Sequence, residues 1–397
     1  MTRSARSLIL PVYLPTLVLS FCSGLLIPVL PIFALSFEVS YGLVGLVLAA
    51  DGVGTLLCDV PAGILLRRIG HKKVMLLGVV CITVGVLALI WAQSLVEVIV
   101  YRLIAGAGAA LWNISRLTYI ADAIGTAYRG RALSYMGGIS RIGSFLGPAL
   151  GGFVAGLYGL RAPFMLYAGL GLLGLLATAW GMKEGTAHGR PSHSAGGGHG
   201  GLLSGIVKDH SRILMTAGSG QLFASMIRSA RRIIVPLYGS EVVGLDVEAV
   251  GLVLSIASAV DMSLFYPAGL IMDRFGRKFT NVPSFAIQGL GMALIPLSGS
   301  FAGLLAAAVL VALGNGISSG SMMTLGTDLA PPEARGEFLG VWRFIGDSGH
   351  AGSPLVIGAF ADLLGLSLAA MVAGSMGLVA SGVLGLLVPE TLGRKTK

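Results

Sequence analysis

Residues 44–72 read VGLVLAADGVGTLLCDVPAGILLRRIGHK, and residues 250–278 read VGLVLSIASAVDMSLFYPAGLIMDRFGRK. Both stretches follow one plan: an apolar run, a Pro-Ala-Gly step, then a basic turn. Val44 and Val250 are 206 positions apart, and the same offset relates Pro61 to Pro267, Asp122 to Asp328, Arg129 to Arg335 and Pro148 to Pro354. The chain is therefore built as two related halves. Because a membrane-crossing helix needs about 20 apolar residues, each quoted stretch is long enough to cross a bilayer before it reaches its basic turn.

Composition extends this reading to the whole chain. Of 397 residues, 55% are hydrophobic and 11% charged, against about 25% charged in a soluble domain. Apolar runs lie at roughly 8–33, 40–66, 74–93, 97–121, 132–157 and 161–182, and again at roughly 212–238, 248–272, 280–298, 301–325, 338–363 and 366–388. The expected fold is an all-α membrane protein of twelve transmembrane helices in two pseudo-symmetric six-helix halves, residues 1–182 and 212–397. So many spans leave no room for a large catalytic domain outside the membrane. The first run carries Pro11, Pro15, Pro28 and Pro31 and has no cleavage site, so it is expected to stay in the membrane. Residues 183–211, KEGTAHGRPSHSAGGGHGGLLSGIVKDHS, form a Gly/Ser/His-rich linker. The irregular spacing of His188, His193, His199 and His210 points to no metal site. Cys22, Cys58 and Cys81 sit inside apolar runs and indicate neither a disulfide framework nor a metal.

The net charge of +9 has a topological origin. With the N-terminus placed in the cytoplasm, inner segments hold 19 basic residues and outer ones hold only Arg161, which sets both termini inside. This collar faces anionic headgroups, so membrane lipids are expected partners and nucleic acid is not.

Motifs narrow the reading further. Gly269 to Lys278, GLIMDRFGRK, resembles the loop between the second and third helices of a repeat in the major facilitator superfamily. In the fifth span of the first half, Gly143, Gly147, Pro148, Gly151 and Gly152 fit GxxxGPxxGG, the pattern of that family's drug and metabolite antiporters, and in the fourth Arg102-Leu-Ile-Ala-Gly-Ala-Gly-Ala-Ala fits its RxxxGxGxA stretch. The resemblance covers nearly the whole chain. It implies a cytoplasmic gate formed by Asp273, Arg274 and Arg277, with Gly269 allowing close helix approach, Gly276 turning the chain, and Asp328 and Arg335 as partners. In the first half Arg67 stands at the acidic position, so the gates are expected to be unequal, with Asp122 available to Arg68 or Arg131. The resemblance also links Arg102 to proton coupling and places Arg141 near Asp261 and Asp59 near Arg343.

Ionised side chains near a bilayer centre are costly, so each should face the bundle interior and have a partner or a task. The spans hold Asp51, Asp59, Arg102, Arg116, Arg141, Arg228, Arg231, Arg232, Asp261, Arg343 and Asp347. Arg102, Gly106, Ala109, Asn113 and Arg116 share one helical face, as do Gln221, Ser225, Arg228 and Arg232. With Asn315 and Ser318 or Ser319 they predict a polar substrate cavity. Arg343 and Asp347 are four apart and can pair along one helix, and His350 is expected to be a core residue. Asp51 and Asp261 lie near span centres, where desolvation of a carboxylate makes reversible protonation possible.

The expected function is a secondary transporter of the cell membrane, working as a monomer without cofactor, metal or enzymatic step, which exports a small amphiphile or organic anion in exchange for protons. No GxxxxGK[ST] phosphate loop is present. Two alternatives stay open: a proton symporter or facilitator for uptake, and a lipid translocator or non-transporting sensor.

Overall fold

The computed structural model describes residues 8–124, 126–182 and 210–393. The linker apart from His210 and Ser211, the terminal basic residues Arg3, Arg6, Arg394, Lys395 and Lys397, and the side chains of Arg129 and Arg131 lie outside the described set. Among the described residues the regular structure is helical, with no strand. The helices are α1 (Leu14–Leu35), α2 (Tyr41–Ala88), α3 (Leu95–Ala123), α4 (Thr126–Tyr158), α5 (Ala162–Gly181), α6 (Ser211–Glu241), α7 (Val247–Ser263), α8 (Phe265–Phe275), α9 (Arg277–Leu294), α10 (Phe301–Ile317), α11 (Ser321–Leu329) and α12 (Arg335–Leu386).

These labels do not correspond one to one with membrane crossings. Six stretches are long and apolar enough to cross, or seven when α7 and α8, bent by 41°, count as one. Two of the six, Tyr41–Trp91 and Arg335–Leu386, run to 51 and 52 residues, about twice the length of a span. Each is broken where backbone leaves helical geometry, at Gly70 (φ 82°) in α2 and at Gly365 (φ 80°) in α12. The expected separate runs 40–66 and 74–93 are thus the two arms of one kinked helix, as are 338–363 and 366–388. Helix α6, which carries Arg212, Arg228, Arg231 and Arg232, is not among the six stretches. Outward-pointing Leu57, Val60, Leu297, Leu363 and Leu386 are exposed, a surface that suits lipid rather than water.

The 206-residue repeat reappears in local geometry. Positive-φ glycines fall at Gly70 and Gly276, and at Gly159 and Gly365. Helix caps recur at the same offset: Ser40 Oγ accepts from Leu43 N and Asp246 Oδ1 from Ala249 N, while Ser94 Oγ accepts from Glu97 N and Ser300 Oγ from Gly303 N. Side-chain caps of this kind satisfy amides that the first helical turn leaves unpaired. At Ser94, Glu97 also reaches back to accept from Gln93 N at 3.0 Å, reinforcing that end.

The chain forms two compact units, Met1–Arg190 with Leu245–Ser255, and Pro191–Gly244 with Ile256–Lys397. The first unit thus includes the early part of α7. Within it the GxxxGPxxGG stretch makes a backbone-to-backbone seam: Gly143, Gly147 and Gly151 of α4 face the α1 backbone at Phe21, Gly24 and Leu25, where no side chain would fit. Gly152 faces α7 at Val247 and Gly251. Pro148 disturbs the α4 hydrogen-bond ladder, and Ser255 enters the gap. Its hydroxyl accepts from Ala149 N at 2.8 Å and donates to Phe145 O at 2.9 Å, bridging two groups that would otherwise bond directly along the helix.

Candidate functional site

Both basic turns follow from a positive-φ glycine, Gly70 or Gly276. In the second unit Gly276 (φ 104°) separates α8 from α9. Arg277 Nε then reaches Asp328 Oδ2 at 2.7 Å, and Thr391 Oγ1 donates to the same oxygen at 2.8 Å. Glu390 completes the cluster. Its carboxylate accepts from Arg277 N (3.0 Å), Lys278 N (2.9 Å), Thr391 N (2.8 Å) and Leu392 N (2.8 Å), so it caps the start of α9 while pinning the segment after α12. Burial alone would raise its pKa, but those backbone donors hold the carboxyl below the usual glutamate value.

The motif residues divide accordingly. Arg277, Gly276 and Asp328 meet. Asp273, Arg274 and Arg335 are exposed, and none of them enters an ion pair among the described residues; Arg274 instead lies over the Phe275 ring at 5.4 Å. Of the expected gate, Arg277 and Asp328 thus form the ion pair, joined by Glu390, while Asp273 and Arg335 stand outside it. Gly269 corrects another expectation, since a Cβ there would meet nothing within 4 Å among the described residues; it is not a point of close helix approach. Glu390 was missed, although it is the only acidic residue after the final apolar run.

In the first unit the same geometry carries different chemistry. His71 stands 206 positions before Arg277, and its Nε2 lies 3.3 Å from Asp122 Oδ2. Asp122 thus pairs with His71, while Arg68 is exposed. The repeat offset was sufficient to find this pair.

Deeper in each unit an aspartate sits beside an arginine. Arg102 Nη2 lies 3.4 Å from Asp51 Oδ1, held where α2 and α3 touch: Gly106 packs on the Asp51 backbone, and Thr55 Oγ1 bonds both Asp51 O and Gly106 O. In the second unit Asp261 is buried; its Oδ2 accepts from Asn315 Nδ2 at 2.7 Å and lies 3.6 Å from Arg231 Nη2. Asn315, expected in the substrate cavity, is committed to Asp261. Arg343 Nε is 3.3 Å from Asp347 Oδ2, one helical turn away. Asp59 lies on α2 and Arg141 on α4.

Gln221, Ser225 and Arg228 do come together. They line a cavity of about 290 Å³ in the second unit with Met322, Met323, Trp342, Arg343, Asp347 and His350. Arg228 Nη2 donates to Ser318 Oγ (2.8 Å) and Ser318 O (3.3 Å), and its guanidinium lies 5.2 Å from the Phe285 ring centre. In the first unit Arg116, beside Asn113, reaches Thr16 Oγ1 at 3.5 Å and lies over Trp112. Trp342 was not singled out from sequence, though it lies one turn before Gly346 on the face that continues to His350. Among the described residues no cluster of His, Cys, Asp and Glu has the makings of a metal site.

A family model described as Major Facilitator Superfamily matches residues 12–354 and 217–397. Multidrug resistance protein 2 of Bacillus subtilis (strain 168) is 30% identical over 163 residues, which is 41% of this chain and 40% of that protein; the chain thus matches about two fifths of that relative's length. An MFS-type transporter of Methanocaldococcus jannaschii is 21% identical over 344 residues, 87% of this chain and 88% of the relative. Among solved structures, a bacterial homolog of the human lysosomal transporter Spinster, inward-facing and occupied, superimposes with a TM-score of 0.79 at 15% identity, covering 97% of both chains.

Proposed function

The chain belongs to the Major Facilitator Superfamily and is a multi-pass membrane transporter; on that premise we propose that it exports a small amphiphile or organic anion in exchange for protons, by alternating access of its two halves. The observation that carries this reading is the pairing of a carboxylate with an arginine deep in each unit, Asp51 with Arg102 and Asp261 with Arg231. A proton arriving at either carboxylate removes its charge and releases the arginine, and that couples protonation to rearrangement. The 290 Å³ cavity supplies a place for cargo at the low end of ligand-site volumes. Export is favoured by the GxxxGPxxGG seam and by the Bacillus relative's name.

Twelve spans follow when α2 and α12 each count as two crossings at their glycine breaks, α7 with α8 as one, and α10 with α11 as one. Both termini then lie in the cytoplasm of a cell-membrane monomer, surrounded by lipid. The test is flux in proteoliposomes under an imposed pH gradient. Gradient-driven accumulation lost in Asp51→Asn or Asp261→Asn, with substrate binding retained, supports the reading; flux indifferent to the gradient removes proton coupling.

A further inference from the structure

The charge inside the spans bears on what the cavity accepts, provided the transport reading of that cavity holds. In the second unit the spans carry four arginines, at 228, 231, 232 and 343, and three aspartates, at 261, 347 and 362. Asp261 lies against Arg231 and Asp347 against Arg343. A cation held out of water is costly and is relieved by a counter-anion.

The cavity itself is lopsided in the same sense. Two arginines line it, Arg228 and Arg343, against one carboxylate, Asp347, and that carboxylate lies against Arg343. Ser318 and the Phe285 ring fix the Arg228 guanidinium, a planar fork suited to a carboxylate. Beside it, Trp342 Nε1 and Gln221 Oε1 are buried without a hydrogen-bond partner among the described residues. The indole N–H can only donate, and the glutamine amide can turn to donate as well. Met322 and Met323 give the remaining wall a polarizable apolar surface.

We propose that this cavity takes an organic monoanion, a carboxylate on a compact apolar or aromatic body, with Arg228 as the anchor and the Trp342 N–H and Gln221 amide as additional donors. A cationic amphiphile of the same shape is repelled by Arg228 and leaves both donors unsatisfied.

The test uses three probes with one naphthalene body, 2-naphthoate, 2-naphthamide and 2-naphthylmethylammonium, titrated by calorimetry against the full chain in detergent. The carboxylate should bind at least about tenfold more tightly than either of the others, the size expected for a charge-assisted hydrogen bond. Arg228→Gln should abolish that preference while leaving the amide within about twofold, and Arg228→Lys should keep part of it. Trp342→Phe, which keeps the ring and removes the N–H, should weaken the carboxylate several-fold without weakening the ammonium, and it serves as the test if Arg228→Gln fails to fold. Equal or tighter binding of the ammonium or amide, no carboxylate binding at millimolar concentration, or an intact preference in Arg228→Gln overturns the proposal. Binding is measured without a gradient. Carboxylate preference without vesicle flux would therefore overturn transport alone, and flux of the ammonium probe would overturn anion selectivity alone.

Discussion

Asp328→Asn and Asp122→Asn alter repeat-related carboxylates, and their consequences should differ. Asp328 accepts a charge-assisted hydrogen bond from Arg277 at 2.7 Å and another from Thr391 at 2.8 Å, and the Arg277 side chain is only 14% exposed. Hydrogen bonds to charged groups contribute about 1.5–3 kcal/mol. Asn keeps one acceptor oxygen but loses the charge, so a loss near the lower end of that range, about 1.5–2 kcal/mol, is expected. Asp122 is 57% exposed, its partner is a histidine, and the separation is 3.3 Å. Such an exposed pair is worth about 0.2–1 kcal/mol. The assay is reversible unfolding in mixed micelles, run for the two variants and the parent. Asp328→Asn should cost the larger amount, and Asp122→Asn less than about 1 kcal/mol. Equal losses would refute the difference between the two turns.

Glu390 adds a prediction with a definite sign. Its folded pKa lies below the usual glutamate value, so the ionised carboxylate stabilises the fold above the unfolded pKa of about 4.3. That stabilisation is lost as pH falls through the folded value. The stability gap between the parent and Glu390→Gln should be widest near neutrality and close in acid; a constant gap would contradict the capping role. Ser255→Ala leaves Ala149 N and Phe145 O without their bridge and should cost about 1–3 kcal/mol in thermal unfolding experiments, whereas Ser144→Ala, on an exposed helix face, should change stability by less than about 0.5 kcal/mol. If Asp51 and Asp261 carry the proton, both Asn variants should bind substrate but lose pH-driven flux, and retention of that flux in both would remove them from the mechanism. A monoanion leaving as one proton enters moves two positive charges inward, so a negative-inside potassium diffusion potential should accelerate export; no dependence on potential would exclude that stoichiometry.

The repeat was legible because it is written in residues with strong local preferences. Pro61 and Pro267, Gly70 and Gly276, and the caps Ser40 and Asp246 each impose a backbone geometry that survives in any packing. Polar stripes were legible for a similar reason, since Gln221, Ser225 and Arg228 at steps of four and three must share a helical face. Partner choice was less so. Asp328 lies between Arg277 on α9 and Thr391 beyond α12, and the sequence offers Arg335 as a nearer cation without showing that it points outward. Asn315 was legible as a polar residue, but polarity alone does not show that its amide donates to Asp261. Gly269 matched its motif position, yet the space around it is open. The His71–Asp122 pair could have been found by carrying Arg277–Asp328 back through the offset of 206.

The most direct test is proton movement driven by substrate. Proteoliposomes loaded with a pH-sensitive dye, and with no initial gradient, would receive an outside pulse of the compound that most stabilises the protein in a thermal-shift screen of drugs, organic acids and lipids. Coupled exchange predicts proton efflux as the compound enters, absent from the Asp51→Asn, Asp261→Asn double variant. Compound entry without any change in internal pH, or proton movement in the same direction as the compound, would contradict it.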